Sequence, residues 1–164
     1  MARILLIDDD TSLREVVQYM LKEAGHDVLP AADGQAGLTL LTENPDLVLT
    51  DIRMPGMDGM EVLKQIVEGD LEQTPPVIVL TAHGTVKQAV EAMRLGAFSY
   101  LLKPFARDEL LLTVDQALHT SSLEKDNARL RRMLKRKNTD SGLIYRSRSM
   151  IELMEQVKRL ADSE

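Results

Sequence analysis

Apolar residues fall in two rhythms along this chain. Short, nearly unbroken apolar runs occur at RILLI (3–7), DVLPA (27–31), DLVLT (46–50), VIVLT (77–81) and SYLL (99–102). Between and after them lie longer stretches whose apolar positions recur at helical spacing, over residues 12–24, 34–43, 58–67, 85–95 and 106–119. Continuous apolar strands are those buried on both faces, as in a parallel sheet. The connections are short and rich in Gly, Pro, Asp and Asn. Five consecutive strand–helix units predict an α/β domain over residues 1–119, a doubly wound parallel sheet with helices on both faces.

Pro30 refines the prediction. Proline cannot donate to a central ladder, so its strand belongs at an edge. In the flavodoxin-like order 2-1-3-4-5 the second strand is an edge, and the two requirements agree.

The helical pattern does not end with the fifth unit. Residues 107–137 contain neither Gly nor Pro. Leu110, Leu111, Val114 and Leu118 are placed to pack on the sheet. Beyond them Leu123, Asn127, Leu130 and Leu134 fit the d, a, d, a positions of a coiled coil, where a buried Asn fixes register and a two-stranded state. A single solvated helix is the plainer alternative. NTDSG (138–142) reads as a turn or linker. After it Ser147 or Ser149 is placed to cap a helix carrying Met150, Leu153, Met154, Val157 and Leu160 on one face. The expected organisation is a domain at 1–119, a helical coiled-coil linker at 120–138, and a new segment from 139 to 164.

Composition narrows the chemistry. With 44% hydrophobic but only 3% aromatic residues and no Trp, the core has to be aliphatic. The absence of cysteine excludes disulfides and thiolate catalysis and fits a cytoplasmic home. No apolar run approaches the ~20 residues that span a bilayer. The net charge of −6 is uneven: residues 1–119 carry −10 and residues 120–164 carry +4. RLRRMLKRK (129–137) concentrates the positive charge, either as a solvated helix face or as a nucleic-acid contact.

The acids are concentrated as well. Asp8, Asp9 and Asp10 follow the first strand, and Asp51 follows the third in LVLTDIRMPGMDG. In an open sheet of this order, chemistry sits beyond the strands' carboxyl ends, in the crevice between the first and third strands. Thr81 ends the fourth strand and Lys103 the fifth, so acids, a hydroxyl and an ammonium meet at one rim. Clustered carboxylates suit Mg²⁺, a hard cation that wants oxygen ligands. Asp51 is placed to act as a nucleophile towards a phosphoryl group, with Lys103 neutralising charge on its oxygens. A lone Asp at a strand end is usually a cap or turn former; the four positions together point to a site.

With these motifs in place, residues 1–119 resemble a response-regulator receiver domain of bacterial two-component signalling. The resemblance rests on the acids after the first strand, D-x-x-M-P-x-M-D-G at 51–59, Thr81–Ala82 and Lys103–Pro104. It implies a CheY-like fold, with Asp51 as phosphoacceptor for a sensor histidine kinase. It implies an Mg²⁺ site of Asp8, Asp9, Asp51 and the backbone carbonyl of Arg53, with Asp10 outside that set. Thr81 and Lys103 match the switch hydroxyl and the phosphate-binding lysine, and Tyr100 matches the switch aromatic. The Lys–Pro bond is implied to be cis. Arg53 and His83 flank the phosphate site and are expected to tune dephosphorylation, whereas His26 and His119 are read as non-functional.

The tail LIYRSRSM, followed by an amphipathic helix, is similar to the start of the AAA+ ATPase domain of NtrC-like, sigma-54-dependent transcription activators. No G-x-x-x-x-G-K-[ST] loop occurs. The expectation is a dimeric regulatory fragment cut before that motif, reaching sigma-54 RNA polymerase and promoter DNA only through further domains. It is expected to be a regulatory phosphoacceptor rather than an enzyme. Three rivals remain: an Mg²⁺-dependent aspartyl-phosphate hydrolase, which needs an acid where Arg53 stands, a nucleic-acid-binding dimer acting through 129–137, and a purely structural dimer whose receiver is silent.

Overall fold

The computed structural model describes residues 1–140 except Asp70, Glu72 and His83, with side chains as far as Lys135. Five strands, β1 (Arg3–Ile7), β2 (Asp27–Ala31), β3 (Leu47–Asp51), β4 (Val77–Thr81) and β5 (Ser99–Leu102), alternate with helices α1 (Thr11–Glu23), α2 (Gly34–Leu40), α3 (Gly59–Glu68), α4 (Val86–Arg94) and α5 (Arg107–Asp140). A short 3₁₀ turn, Leu41–Glu43, extends α2. All pairings are parallel and the order is 2-1-3-4-5, with Pro30 on the edge strand opposite Leu6.

The strands are apolar on both sides because both sides are covered. Ile4 and Leu6 of β1 join Leu49, Ile78 and Leu80 in one core closed by Val17 and Leu21 of α1 and by Leu110, Val114 and Ala117 of α5. Leu5, Ile7, Val48 and Val79 form a second core with Val62, Leu63 and Ile66 of α3 and Ala92 of α4. Full burial of such a side chain stabilises by about 1.5–3 kcal/mol. The hydrophobic effect therefore holds the sheet rigid from two sides. Of the α5 residues expected to pack on it, Leu110 and Val114 are fully buried, while Leu111 and Leu118 are partly buried.

Helix starts are set by side-chain caps rather than by the apolar pattern. The side chains of Asp10, Asp33, Asp58 and Thr85 accept the backbone N–H of Leu13, Ala36, Glu61 and Gln88, at 3.2, 2.8, 2.9 and 3.1 Å. Each satisfies one of the unpaired donors of a first turn. All four caps end a strand's exit loop, so they also fix the rim of the sheet. The turn expected at NTDSG does not form at its start: α5 is helical through Asn138–Asp140. The helix expected after Ser147 lies outside the described residues.

The chain divides into two units, Met1–Ser122 and a second from Leu123 onwards. In the second, Leu123, Leu130, Met133 and Leu134 are 46–58% exposed, and Asn127 is exposed too. No helix among the described residues is long and apolar enough to cross a membrane.

Burial should govern the cost of truncation. Leu80→Ala is expected to lose about 2–5 kcal/mol, whereas Val86→Ala, whose side chain is 83% exposed, should stay within roughly 0.5 kcal/mol. Urea unfolding of both variants checks the contrast.

Candidate functional site

The carboxyl ends of β1, β3, β4 and β5 meet at one rim. Asp8 leaves β1 with its N–H bonded to the Ala31 carbonyl at 3.1 Å. Asp51 is itself the last residue of β3, opposite Leu80. This is one residue further than the strand expected from the apolar run, because the ladder continues through the acid to Ile52 N–H and the Leu80 carbonyl at 3.1 Å. Beyond β5, Lys103 N–H donates to the Thr81 carbonyl at 2.8 Å. The Lys103–Pro104 peptide is cis. The backbone ladder alone therefore brings these residues together.

Lys103 Nζ lies 3.0 Å from Asp8 Oδ2 and 3.4 Å from Asp51 Oδ1. Asp8 and Asp51 are buried, Asp9 is exposed, and all three offer carboxylate oxygens within 4.8 Å of one another. At that separation two like charges repel by about 3 kcal/mol at an effective dielectric near 20. Burial pushes the Asp51 carboxyl above its ordinary range; Lys103 pulls it back, and Asp8 and Asp9 raise it further. Three carboxylates facing one ammonium leave an excess of negative charge and a set of hard oxygen donors. That combination fits a small divalent cation.

Asp10 has a different job from its neighbours. It caps α1 and gives its own N–H to Asp8 Oδ1 at 3.0 Å, so it shapes the loop on which the other acids stand. Arg14, which the sequence did not single out, donates from Nη1 to the Asp8 carbonyl at 2.6 Å. Its only sequence signal is its place in the first turns of α1, facing back towards the loop. Gly59 is required by close approach. A Cβ there would come within 2.8 Å of both the Asp51 carbonyl carbon and Ile52 Cα. Its N–H donates to Ile52 O at 2.8 Å, docking the start of α3 under the Asp51 strand.

Thr81 is buried at the end of β4. Tyr100 stands on β5 opposite Val79, half-buried, with its hydroxyl oxygen fully covered. Burial raises the Tyr100 phenol above its ordinary value, and the nearby Thr81 hydroxyl partly offsets this, though the pair falls short of full hydrogen-bond geometry. Arg53 is exposed just beyond Asp51. His83 lies outside the described residues. His26 accepts the Ala2 N–H at 3.4 Å on the opposite rim, and His119 is exposed on α5; neither belongs to the acidic cluster.

Comparison with known proteins agrees with this geometry. The family described as response regulator receiver domain matches residues 4–115. The C4-dicarboxylate transport transcriptional regulatory protein DctD of Pseudomonas aeruginosa is 44% identical over 161 residues, covering 97% of this chain and 34% of that one. The regulatory protein AtoC of Escherichia coli is 36% identical, covering 99% and 35%. Among solved structures, NtrX from Brucella abortus superposes with a TM-score of 0.73 at 34% identity, covering 98% of this chain and 34% of that one. A response regulator receiver domain protein from Clostridium thermocellum gives 0.70 at 36% identity, covering 75% and 98%. The chain thus spans about a third of the length of the curated relatives it matches.

The crowding of Asp51 has a measurable consequence. Its raised pKa means that the ionised form opposes folding above the carboxylate range, and the opposition vanishes below the unfolded value of about 4. In metal-free buffer at neutral pH, Asp51→Asn should therefore melt higher than wild type, by roughly 2–4 °C per kcal/mol relieved. The gap should close as the pH falls through that range. Thermal melts followed by circular dichroism across pH read it.

Proposed function

This chain belongs to the response regulator receiver domain family, and on that premise we propose that it is the phosphoacceptor module of a sigma-54-dependent transcription activator. The observation that carries the reading is the bridged pair at the rim: Asp51 on β3 and Asp8 after β1 share the Lys103 ammonium, with Asp9 beside them. Asp51 attacks the phosphorus of a phosphohistidine on a sensor histidine kinase. The new O–P bond forms as the P–N bond breaks, and the imidazole leaves with its electron pair. Such transfers need positioning and charge neutralisation more than covalent help. Lys103 contributes one positive charge beside the incoming oxygens, and Thr81 offers its hydroxyl to the product.

Asp8, Asp9, Asp51 and the Arg53 carbonyl would hold Mg²⁺. When bound, the ion supplies the positive charge that one lysine cannot. Phosphorylation exchanges a carboxylate for a group carrying more negative charge, by the reasoning that gives phosphoserine about −1.5 to −2. Thr81 and Tyr100 then act as the switch, altering the surface around α4 and β5. Arg53 and His83, flanking the site, would tune dephosphorylation. A hydrolase of small phosphate esters is disfavoured because the second residue after Asp51, where such an enzyme wants a proton donor, is the exposed cation Arg53.

The second unit gives the reading its output. Leu123, Leu130 and Leu134 are exposed at d and a spacing around Asn127. Pairing with a second copy would cover them, as in a parallel two-stranded coil. In this reading the unphosphorylated dimer restrains attached ATPase domains, and phosphorylation relieves the restraint. The relatives, transcriptional regulatory proteins of which this chain covers about a third, support that context.

Incubation with Mg²⁺ and a small phosphodonor should add one phosphoryl mass to wild type and none to Asp51→Asn, read by intact mass spectrometry. An equal gain in both proteins would sink the assignment. For the linker, Asn127→Leu should change the sedimenting species from a single dimer to a mixture of states; an unchanged profile would count against the coil.

A further inference from the structure

Gly84, in the connection between β4 and α4, has no role in the reading so far. Its backbone does not need glycine. The glycines with positive φ among the described residues are Gly25, Gly56 and Gly96, so no left-handed φ reserves position 84 for glycine. Space is the constraint. A Cβ on Gly84 would fall on the Tyr100 hydroxyl oxygen, 2.8 Å from the ring Cζ and 2.6 Å from Leu102 Cδ2. Contacts that short do not persist, so a neighbour has to move. Leu102 is 53% exposed and its flexible end can swing into solvent. The phenol has no comparable small adjustment. Its hydroxyl is covered and its ring packs with the core beneath α3 and α4, and side chains move between discrete rotamers rather than by small tilts.

We infer that Gly84 is the seat of the Tyr100 phenol. The missing Cβ leaves the hollow in which the ring lies inward beside Thr81, and any side chain at 84 expels it towards solvent. Gly84 is a positioning residue, acting only through Tyr100. The functional weight of this inference rests on the reading of Thr81 and Tyr100 as the switch; its steric content does not.

The test is nitration of the folded chain with tetranitromethane in the absence of phosphodonor, each tyrosine followed by peptide mass mapping. Tyr19, 65% exposed on α1, is the internal standard. In wild type Tyr100 should react several-fold more slowly than Tyr19. In Gly84→Ala the Tyr100 rate should rise towards that of Tyr19, whose own rate stays fixed. An unchanged ratio in folded Gly84→Ala would overturn the inference. If Gly84→Ala does not fold by circular dichroism, the double variant Gly84→Ala/Tyr100→Ala should fold, because the obstructing ring is gone; failure of the double variant overturns the inference as well. A parallel phosphodonor incubation keeps the two readings apart. Both wild type and Gly84→Ala should gain the phosphoryl mass, and loss of that gain in wild type would indict the phosphoacceptor reading while leaving the nitration result to judge the seat.

Discussion

One ammonium group holds two buried carboxylates at the end of the sheet. Lys103 Nζ reaches Asp8 and Asp51 from 95 and 52 residues away in sequence, and nothing local to any of the three brings them together. Their meeting depends on strand order. Only with β1 and β3 adjacent, and with β4 and β5 completing the ladder, do the three chain exits converge. A buried like-charged pair is costly unless a counter-charge is fixed beside it. Here the fixing is done by backbone, through the Lys103 N–H on the Thr81 carbonyl, and not by a flexible surface side chain. The acidic corner is thus a property of the finished sheet. Its electrostatic tension is held by the hydrophobic cores on either side.

Much of this was legible in the sequence because it follows from periodicity and from chemistry at strand ends. Continuous apolar runs separated by helical stretches specify a parallel sheet, and one proline, Pro30, identifies its edge. The acids, Thr81 and Lys103 each stand directly at or after a strand, so placing the strands places the residues. Boundaries were less legible. The apolar pattern stops β3 at Thr50, whereas the ladder runs on through Asp51, since hydrogen bonding does not depend on side-chain polarity. Helix starts were offset by a residue: the expected stretches begin on Asp58 and Thr85, which are the caps, while α3 and α4 begin one residue later, and α1 begins at Thr11, one residue before the expected stretch.

What the sequence conceals is contact between particular atoms. Arg14 reads as a solvated base on a helix, yet its guanidinium secures the carbonyl of Asp8. Gly59 and Gly84 look like ordinary turn glycines, and neither owes its place to an unusual φ. One admits a backbone, the other a phenol, and a composition-based reading has no access to what lies on the far side of a missing methyl group. The turn expected at residues 138–142 failed at its beginning for the opposite reason. Asn138, Thr139 and Asp140 have only modest helix penalties, which a long helix already propagating can absorb.

The two cores never mix. Five continuous strands separate the α1–α5 side from the α2–α3–α4 side, and alternation along β5 assigns Leu101 to the first and Tyr100 to the second. The sheet therefore behaves as a stiff partition. Tyr100 packs with the core on one side of it, and on the other side stands a separate set of buried aliphatic side chains. Each face of the sheet thus answers to its own set of helices, and the only residues the two share are the strands between them.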